Sequence, residues 1–143
     1  MSHADRREGL VELDRATCWQ RLRDHEGGVG RIALVAGGRP HLFPVNYAFE
    51  SGTVLIRTDS GLLLDAATNE DVVAFEIDEA DAAHRSGWSV TIAGTAQVVR
   101  DRRLEIVLAR LDFQPYPQGR SRRWVAIDVE EINGREVVHP FWW

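Results

Sequence analysis

The apolar positions of this chain change period at Val29. Between Asp14 and Gly28 the apolar residues Cys18, Trp19 and Leu22 fall at i, i+1 and i+4, the stripe of an amphipathic helix. Asp14 suits the N-cap and Gly27-Gly28 the stop. From Val29 the rhythm is that of short strands: Val29–Ala36, His41–Phe49 and Thr53–Thr58, separated by Gly37-Gly38 and by Glu50-Ser51-Gly52. Connections this short predict hairpins, so the three strands are expected to form an antiparallel meander. Within the second strand, His41, Phe43, Val45, Tyr47 and Phe49 take one face while Leu42, Pro44, Asn46 and Ala48 take the other. Pro44 cannot donate to a ladder, which predicts an edge or bulge whose neighbouring backbone groups are open to another partner.

Beyond Thr58 the pattern predicts a short helix over Leu62–Asn69, a strand over Val72–Asp78 and a charged loop over Glu79–Arg85. A long strand follows, Gly87–Val99, whose Gly94 marks a bend or bulge. Asp101 caps a second amphipathic helix with Leu104, Val107, Leu108 and Leu111 at i, i+3, i+4 and i+7. Residues 113–123, with Pro115, Pro117 and Gly119, read as an irregular connection. Trp124–Val129 reads as a sixth strand and Asn133-Gly134 as a turn. Six antiparallel strands with short helices are more than one flat layer can bury, and closure into a small barrel is expected.

At 143 residues the chain has the size of one domain, expected over residues 14–143 behind a flexible N-terminal arm at 1–13. A formal net charge of -5 argues against binding nucleic acid by bulk electrostatics, although Arg100, Arg102 and Arg103, and Arg120, Arg122 and Arg123, form local basic clusters. Cys18 is the single cysteine, which leaves no internal disulfide. It reads as a small core residue, and no Cys/His spacing suggests a metal. There is no apolar run of roughly 20 residues and no signal-like apolar segment near Met1, so a soluble cytoplasmic protein is expected, with no membrane partner. His25, His41, His84 and His139 are scattered and read as structural or surface residues, and His3 lies in the arm. The apolar end, Val137–Trp143, is expected to dock on the barrel or on a second subunit.

The candidate chemistry lies at Arg57-Thr58-Asp59-Ser60-Gly61, where a strand turns into a helix. A guanidinium, two hydroxyls and the N–H groups opening a helix meet there, which is the outline of a phosphate site. The plainer alternative is an exposed strand-end arginine before an ordinary loop. Asn46, upstream, carries a donor and an acceptor on one planar head.

Five segments in register carry a resemblance: Val29-Gly30-Arg31-Ile32-Ala33-Leu34, Phe43-Pro44-Val45-Asn46-Tyr47, Arg57–Gly61, Val73–Asp78 and Gly87-Trp88-Ser89-Val90. From about Cys18 to Gly134 the chain resembles the pyridoxamine 5'-phosphate oxidase-like flavoproteins, especially the small actinobacterial and nitroimidazole-resistance types. The resemblance implies a six-stranded antiparallel split β-barrel that forms a homodimer, with FMN in a groove between the subunits. It places Val45 and Asn46 along the flavin ring, and Arg57, Thr58, Ser60 and Gly61 at the ribityl phosphate. Ser89 would be a polar contact from the second subunit. Trp88 and Trp124 could close the groove, but are more simply core or interface anchors. The chain departs from the pattern in one place: many members continue with Gly-x-Lys, whose lysine neutralises the phosphate, whereas Gly61 is followed by Leu62 and Leu63.

The implied activity is redox chemistry through the flavin on a small molecule, with no protein nucleophile or general base assigned. An alternative of another class is a non-catalytic dimeric module that binds a flavin, a deazaflavin or a haem-like ligand in the same groove. A third reading is a barrel that binds only proteins through its apolar tail.

Overall fold

The computed structural model describes residues 10–58, 61–102 and 123–137. The expected helix over 104–111, the connection over 113–122, Ser60 and the tail beyond Val137 lie outside the described residues. The elements are β1 (Leu10–Glu12), α1 (Arg15–Asp24), β2 (Val29–Ala36), β3 (Arg39–Asn46), β4 (Ala48–Glu50), β5 (Thr53–Thr58), α2 (Gly61–Thr68), β6 (Val72–Asp81), β7 (Ser86–Val98) and β8 (Arg123–Val137). All strand pairs are antiparallel, and the sheet runs β3-β2-β6-β7-β8-β5-β4, with β1 added to β8.

Helix α1 begins where the capping chemistry requires. Asp14 Oδ1 accepts from the Thr17 N–H at 2.7 Å, which holds the Asp14 carboxyl below the usual carboxylate range. Cys18 and Leu22 are buried on the inner stripe, and burial pushes the Cys18 thiol up. The hairpin turns are also as expected. Gly37 and Gly38 have φ of 59° and 73°, and Ser51 and Gly52 have 48° and 82°, so both two-residue loops have the left-handed pairs of a type I′ turn.

Four expectations change. Leu10–Glu12, placed in a loose arm, forms β1 and pairs with the end of β8, because Val11 finds a buried position there. The expected single strand His41–Phe49 is two strands. β3 pairs with β2 at one end of the sheet while β4 pairs with β5 at the other, so the meander becomes two hairpins joined through Tyr47. The sheet therefore curls until its ends are consecutive in the chain, but no ladder joins β3 to β4. Among the described residues it is the split antiparallel barrel that the family resemblance implies, with eight strands, two of them only three residues long, in place of six.

The fourth change is at Asn133-Gly134, which is no turn: β8 continues through it to Val137, with Gly134 opposite Val90. Glycine is required because α1 packs there. A Cβ on Gly134 would lie 2.6 Å from Cys18 Sγ, and its carbonyl accepts from the Leu13 N–H at 2.9 Å. Gly94 behaves as expected. The β7–β8 register shifts between Ala93 and Gly94, and a Cβ there would sit 1.9 Å from the Asp128 carbonyl oxygen. Glu130 is the extra residue of that bulge, its carboxylate accepting from Thr95 N–H at 3.2 Å and from Thr95 Oγ1 at 2.5 Å.

The main core joins both helices to the barrel interior: Cys18 and Leu22 of α1 and Leu63, Ala66 and Ala67 of α2 cluster with Ile32, Phe75, Ile92 and Ile127. A smaller cluster, Ala48, Leu55, Val99 and Trp124, lies on the other face of β4, β5 and β8. Trp88 and Trp124 are both buried, Trp88 with the Arg21 guanidinium 4.9 Å from its ring centre. Among the described residues no helix is long and apolar enough to cross a membrane.

Candidate functional site

The break at Tyr47 builds the site. Where the chain leaves one end of the sheet for the other, its backbone needs partners, and α1 and the loop after it provide them. Gly27 N–H donates to the Tyr47 carbonyl at 2.8 Å, Glu26 Oε1 accepts from the Phe49 N–H at 3.0 Å, and the buried Tyr47 hydroxyl donates to the Leu22 carbonyl at 2.7 Å. Burial pushes the Tyr47 phenol up, so it stays a donor. Its ring packs edge-on to Phe75 at 5.1 Å. Asn46 Nδ2 donates to the Gly27 and Gly28 carbonyls at 3.4 and 3.3 Å. The sequence pattern marked Gly27 only as a helix stop and did not mark Glu26 or the Tyr47 hydroxyl, because these bonds join residues 20 to 25 positions apart.

The opening that results lies between β3 and β5. The β4–β5 register pairs Ala48 with Leu55, and continued by two residues it sets Asn46 across from Arg57 and Val45 across from Thr58. Opposite residues share a face. Asn46 and Arg57 thus lie on the side of Leu55 and Trp124, while Val45 and Thr58 lie on the interior side with Val54 and Ile56. The backbone of Asn46 is directed into this opening. In a two-residue hairpin the flanking pair Ala36–Arg39 is hydrogen-bonded, so Val45 spends its backbone groups on Gly30 while Asn46 points its own away from β2. Val45 therefore contributes a half-buried side chain rather than free backbone.

Arg57 is half-buried and Thr58 buried at 7% exposure, and both already have partners. Their register partners on β8 are Trp124 and Arg123. Gly61 opens α2 three residues on, with room for any approaching group, since a Cβ there would meet nothing within 4 Å. Leu63 is wholly buried in the main core, so at this position the chain presents an apolar anchor for α2 and no surface for a cation.

Continued in this way the register brings Val45, Asn46, Arg57 and Thr58 to the same edge, with Gly61 three residues further on, whereas Ser89 lies elsewhere. It lies on β7 opposite Arg135, while Arg57 lies opposite Trp124, eleven positions away along β8 or roughly 36 Å of strand. On the outer sheet face beside Ser89, Arg31 bridges Glu76 at 3.3 Å and Asp78 at 2.9 Å. Partial burial and then Asp78 push the Glu76 carboxyl up to about 7, against the opposing pull of Arg31.

Residues 14–136 match the sequence profile of the family described as pyridoxamine 5'-phosphate oxidase. The chain belongs to that family. It is 32% identical over 136 residues to an uncharacterised protein of Mycobacterium tuberculosis, covering 90% of this chain and 86% of the relative. Among solved structures it is similar to a conserved protein of unknown function from Corynebacterium diphtheriae, at 32% identity and TM-score 0.72, covering 91% of this chain and 99% of the other. It is also similar to an FAD-binding protein from Mycobacterium smegmatis, at 30% identity and TM-score 0.66, covering 89% and 97% of the two chains.

Proposed function

We propose that the protein is a homodimeric, FMN-dependent oxidoreductase acting on a small molecule. The observation that carries this reading is the register that brings Asn46 and Arg57 together across the split, where the two sheet ends part. The donor set suits a flavin nucleotide. The Arg57 guanidinium, the Thr58 hydroxyl and the start of α2 are chemistry for a phosphate, and the Asn46 backbone is chemistry for the polar edge of a planar ring. When bound, a flavin supplies hydride or electron transfer, and the chain's own residues bind it, orient it and shield it from water. Tyr47, tied to Leu22 from below, keeps the Asn46 backbone in place as it does so.

A second copy is supported by the separation of Ser89 from Arg57, and by an apolar stretch of outer sheet where Val29, Val35, Leu42 and Val72 are 49–69% exposed. The similarity to an FAD-binding protein supports a competing cofactor, FAD, in the same opening.

Freshly purified protein should carry a flavin absorption spectrum that a nicotinamide donor bleaches. In titrations, Arg57→Ala should weaken FMN by about 2 kcal/mol, or roughly thirtyfold, and leave riboflavin nearly unchanged. Equal losses for FMN and riboflavin would remove Arg57 from the phosphate. A spectrum that is bound but never bleached by any donor would support a non-catalytic flavin carrier instead.

A further inference from the structure

Apolar and charged residues interleave on the outer face of β3, β2 and β6. One row runs Leu42, Ala33, Ala74 and Ala93 across β3, β2, β6 and β7, each the register partner of the next. Beside it stands Val35, and the β2–β6 register continued by two residues sets Val72 across from Val35. Leu42, Val35 and Val72 project from the face, 64–69% exposed, while the three alanines make a low floor next to them. Ridge and floor on one surface fit a second copy turned about a two-fold axis, because each copy then lays its projecting side chains on the other's alanines.

The next row sets charge inside this apolar surface. It runs Pro44, Arg31, Glu76 and Thr91, with Val29 and Ala33 flanking Arg31 along β2, and Ala74 and Asp78 flanking Glu76 along β6. One Arg31 nitrogen, Nη1, lies 3.3 Å from Glu76 Oε1 and 2.9 Å from Asp78 Oδ2. With all three groups ionised, one guanidinium faces two carboxylates and the triad keeps an unmatched negative charge. The neighbouring strands supply no second cation: Pro44 and Thr91 are uncharged, and β8, which carries Glu131 and Arg135, lies two strands from β6, or roughly 10 Å. Among the described residues Arg31 is the only cation within ion-pair distance of either carboxylate. Two carboxyls sharing one guanidinium are the arrangement in which one of them takes up a proton, and Glu76 is already pushed up to about 7 by partial burial and by Asp78.

We propose that the second copy docks on this face and that the Arg31–Glu76–Asp78 triad makes the docking depend on pH, the two faces closing on a triad that holds a shared proton and parting when it is lost. This rests on the homodimer proposed above. Sealing the ionised triad under an apolar partner strands one charge per subunit away from water, whereas the protonated triad enters neutral and hydrogen-bonded. Each dimer thus takes up as many as two protons as it forms, one per subunit. Association strengthens as pH falls below 7 and weakens as it rises above.

The test is sedimentation equilibrium of the full chain at pH 6 and pH 8. The dimer dissociation constant of the wild type should rise about tenfold or more over that interval, below the ceiling of roughly a hundredfold per pH unit that two protons set. Glu76→Gln leaves Arg31 and Asp78 as a neutral pair at both values, so its constant should change less than about twofold and match at pH 8 the wild type at pH 6. Leu42→Glu, at an exposed position, should keep the wild-type circular dichroism and be monomeric at both values. A wild-type dimer with one constant at both values, or one that dissociates at neither, overturns the proposal. So does a pH dependence that persists in Glu76→Gln, which would assign the proton to another group, or a dimer that survives Leu42→Glu, which would put the second copy on another face. In each of these cases the homodimer itself stands. Chains that stay monomeric at both values, in wild type and Glu76→Gln alike, sink the homodimer reading and this proposal with it.

Discussion

Removing one oxygen atom at Tyr47 should show how strongly the crossover is held. Tyr47→Phe keeps the ring against Phe75 and deletes only the hydroxyl that donates to the Leu22 carbonyl at 2.7 Å, at a site with 0% exposure. The lost bond is worth about 1 kcal/mol net. The carbonyl left behind in the last turn of α1 is buried without its donor, and its desolvation adds on the order of 1 kcal/mol. A total of about 2 kcal/mol should lower the midpoint of urea unfolding with an unchanged slope, and lower the melting temperature by roughly 6 °C for a chain of this size. Tyr47→Leu should cost more, about 3–4 kcal/mol, because the ring contact goes as well. The folded Tyr47→Phe protein should also bind flavin less tightly, because the Asn46 backbone is one residue away. A change below about 0.5 kcal/mol for Tyr47→Phe would show that water or another donor satisfies the carbonyl, and the claim that this bond fixes the split would fail.

Gly134→Ala should destabilise by about 2–3 kcal/mol, since its Cβ must displace Cys18 Sγ, and Cys18→Ala in the same chain should restore much of the loss; additive losses in the double variant would refute the contact. Leu63→Lys should cost about 3 kcal/mol or more and weaken no phosphate contact directly, because the position is wholly buried in the main core; a variant as stable as wild type by thermal melting would place the side chain at the surface after all. Glu76 carries a folded pKa of about 7 above its ordinary 4.5, so its stabilising contribution is complete below pH 4.5 and is lost as pH rises through 7. The shift corresponds to about 3 kcal/mol at 1.36 kcal/mol per unit, which solvent screening of a side chain 30% exposed reduces to about 1 kcal/mol. Glu76→Gln should therefore flatten the stability profile between pH 5 and 7.5 and be the more stable protein at pH 8, as read by urea midpoints across that range.

The parts legible in the sequence are those decided within a few residues. Asp14 caps Thr17 three positions on, and Gly37-Gly38 supplies two left-handed residues to a two-residue turn, so α1 and the β2–β3 hairpin follow from local chemistry. The break at Tyr47 does not, because nothing in the composition of His41 to Phe49 interrupts a strand, while the pairing partner changes from β2 to β5 and the burial alternation stops at Val45. Only bonds to Leu22, Glu26 and Gly27 reveal it. Asn133-Gly134 has the composition of a tight turn, and what keeps it extended is the close approach of α1. For the site, Arg57 and Thr58 were readable as a strand end rich in anion donors. That Ser89 of β7 sits beside the far end of β8, and that Arg135 and Asn133 share its face, depends on the Glu130 bulge, which shifts the face alternation halfway along β8.

The two prolines of β3 carry a consequence for how this protein behaves at high concentration. β3 is an edge of the sheet, and its narrow hydrogen-bonded pairs fall at Arg39, His41, Phe43 and Val45, so the N–H groups at positions 40, 42, 44 and 46 would point outward. Prolines occupy two of those four positions, 40 and 44. They leave the ladder to β2 intact while removing alternate donors from the open side, where exposed Leu42 would otherwise sit in a strand ready to pair with another chain. Copies of this protein are thereby steered away from edge-to-edge sheet extension, the route to fibrils, and toward association through faces.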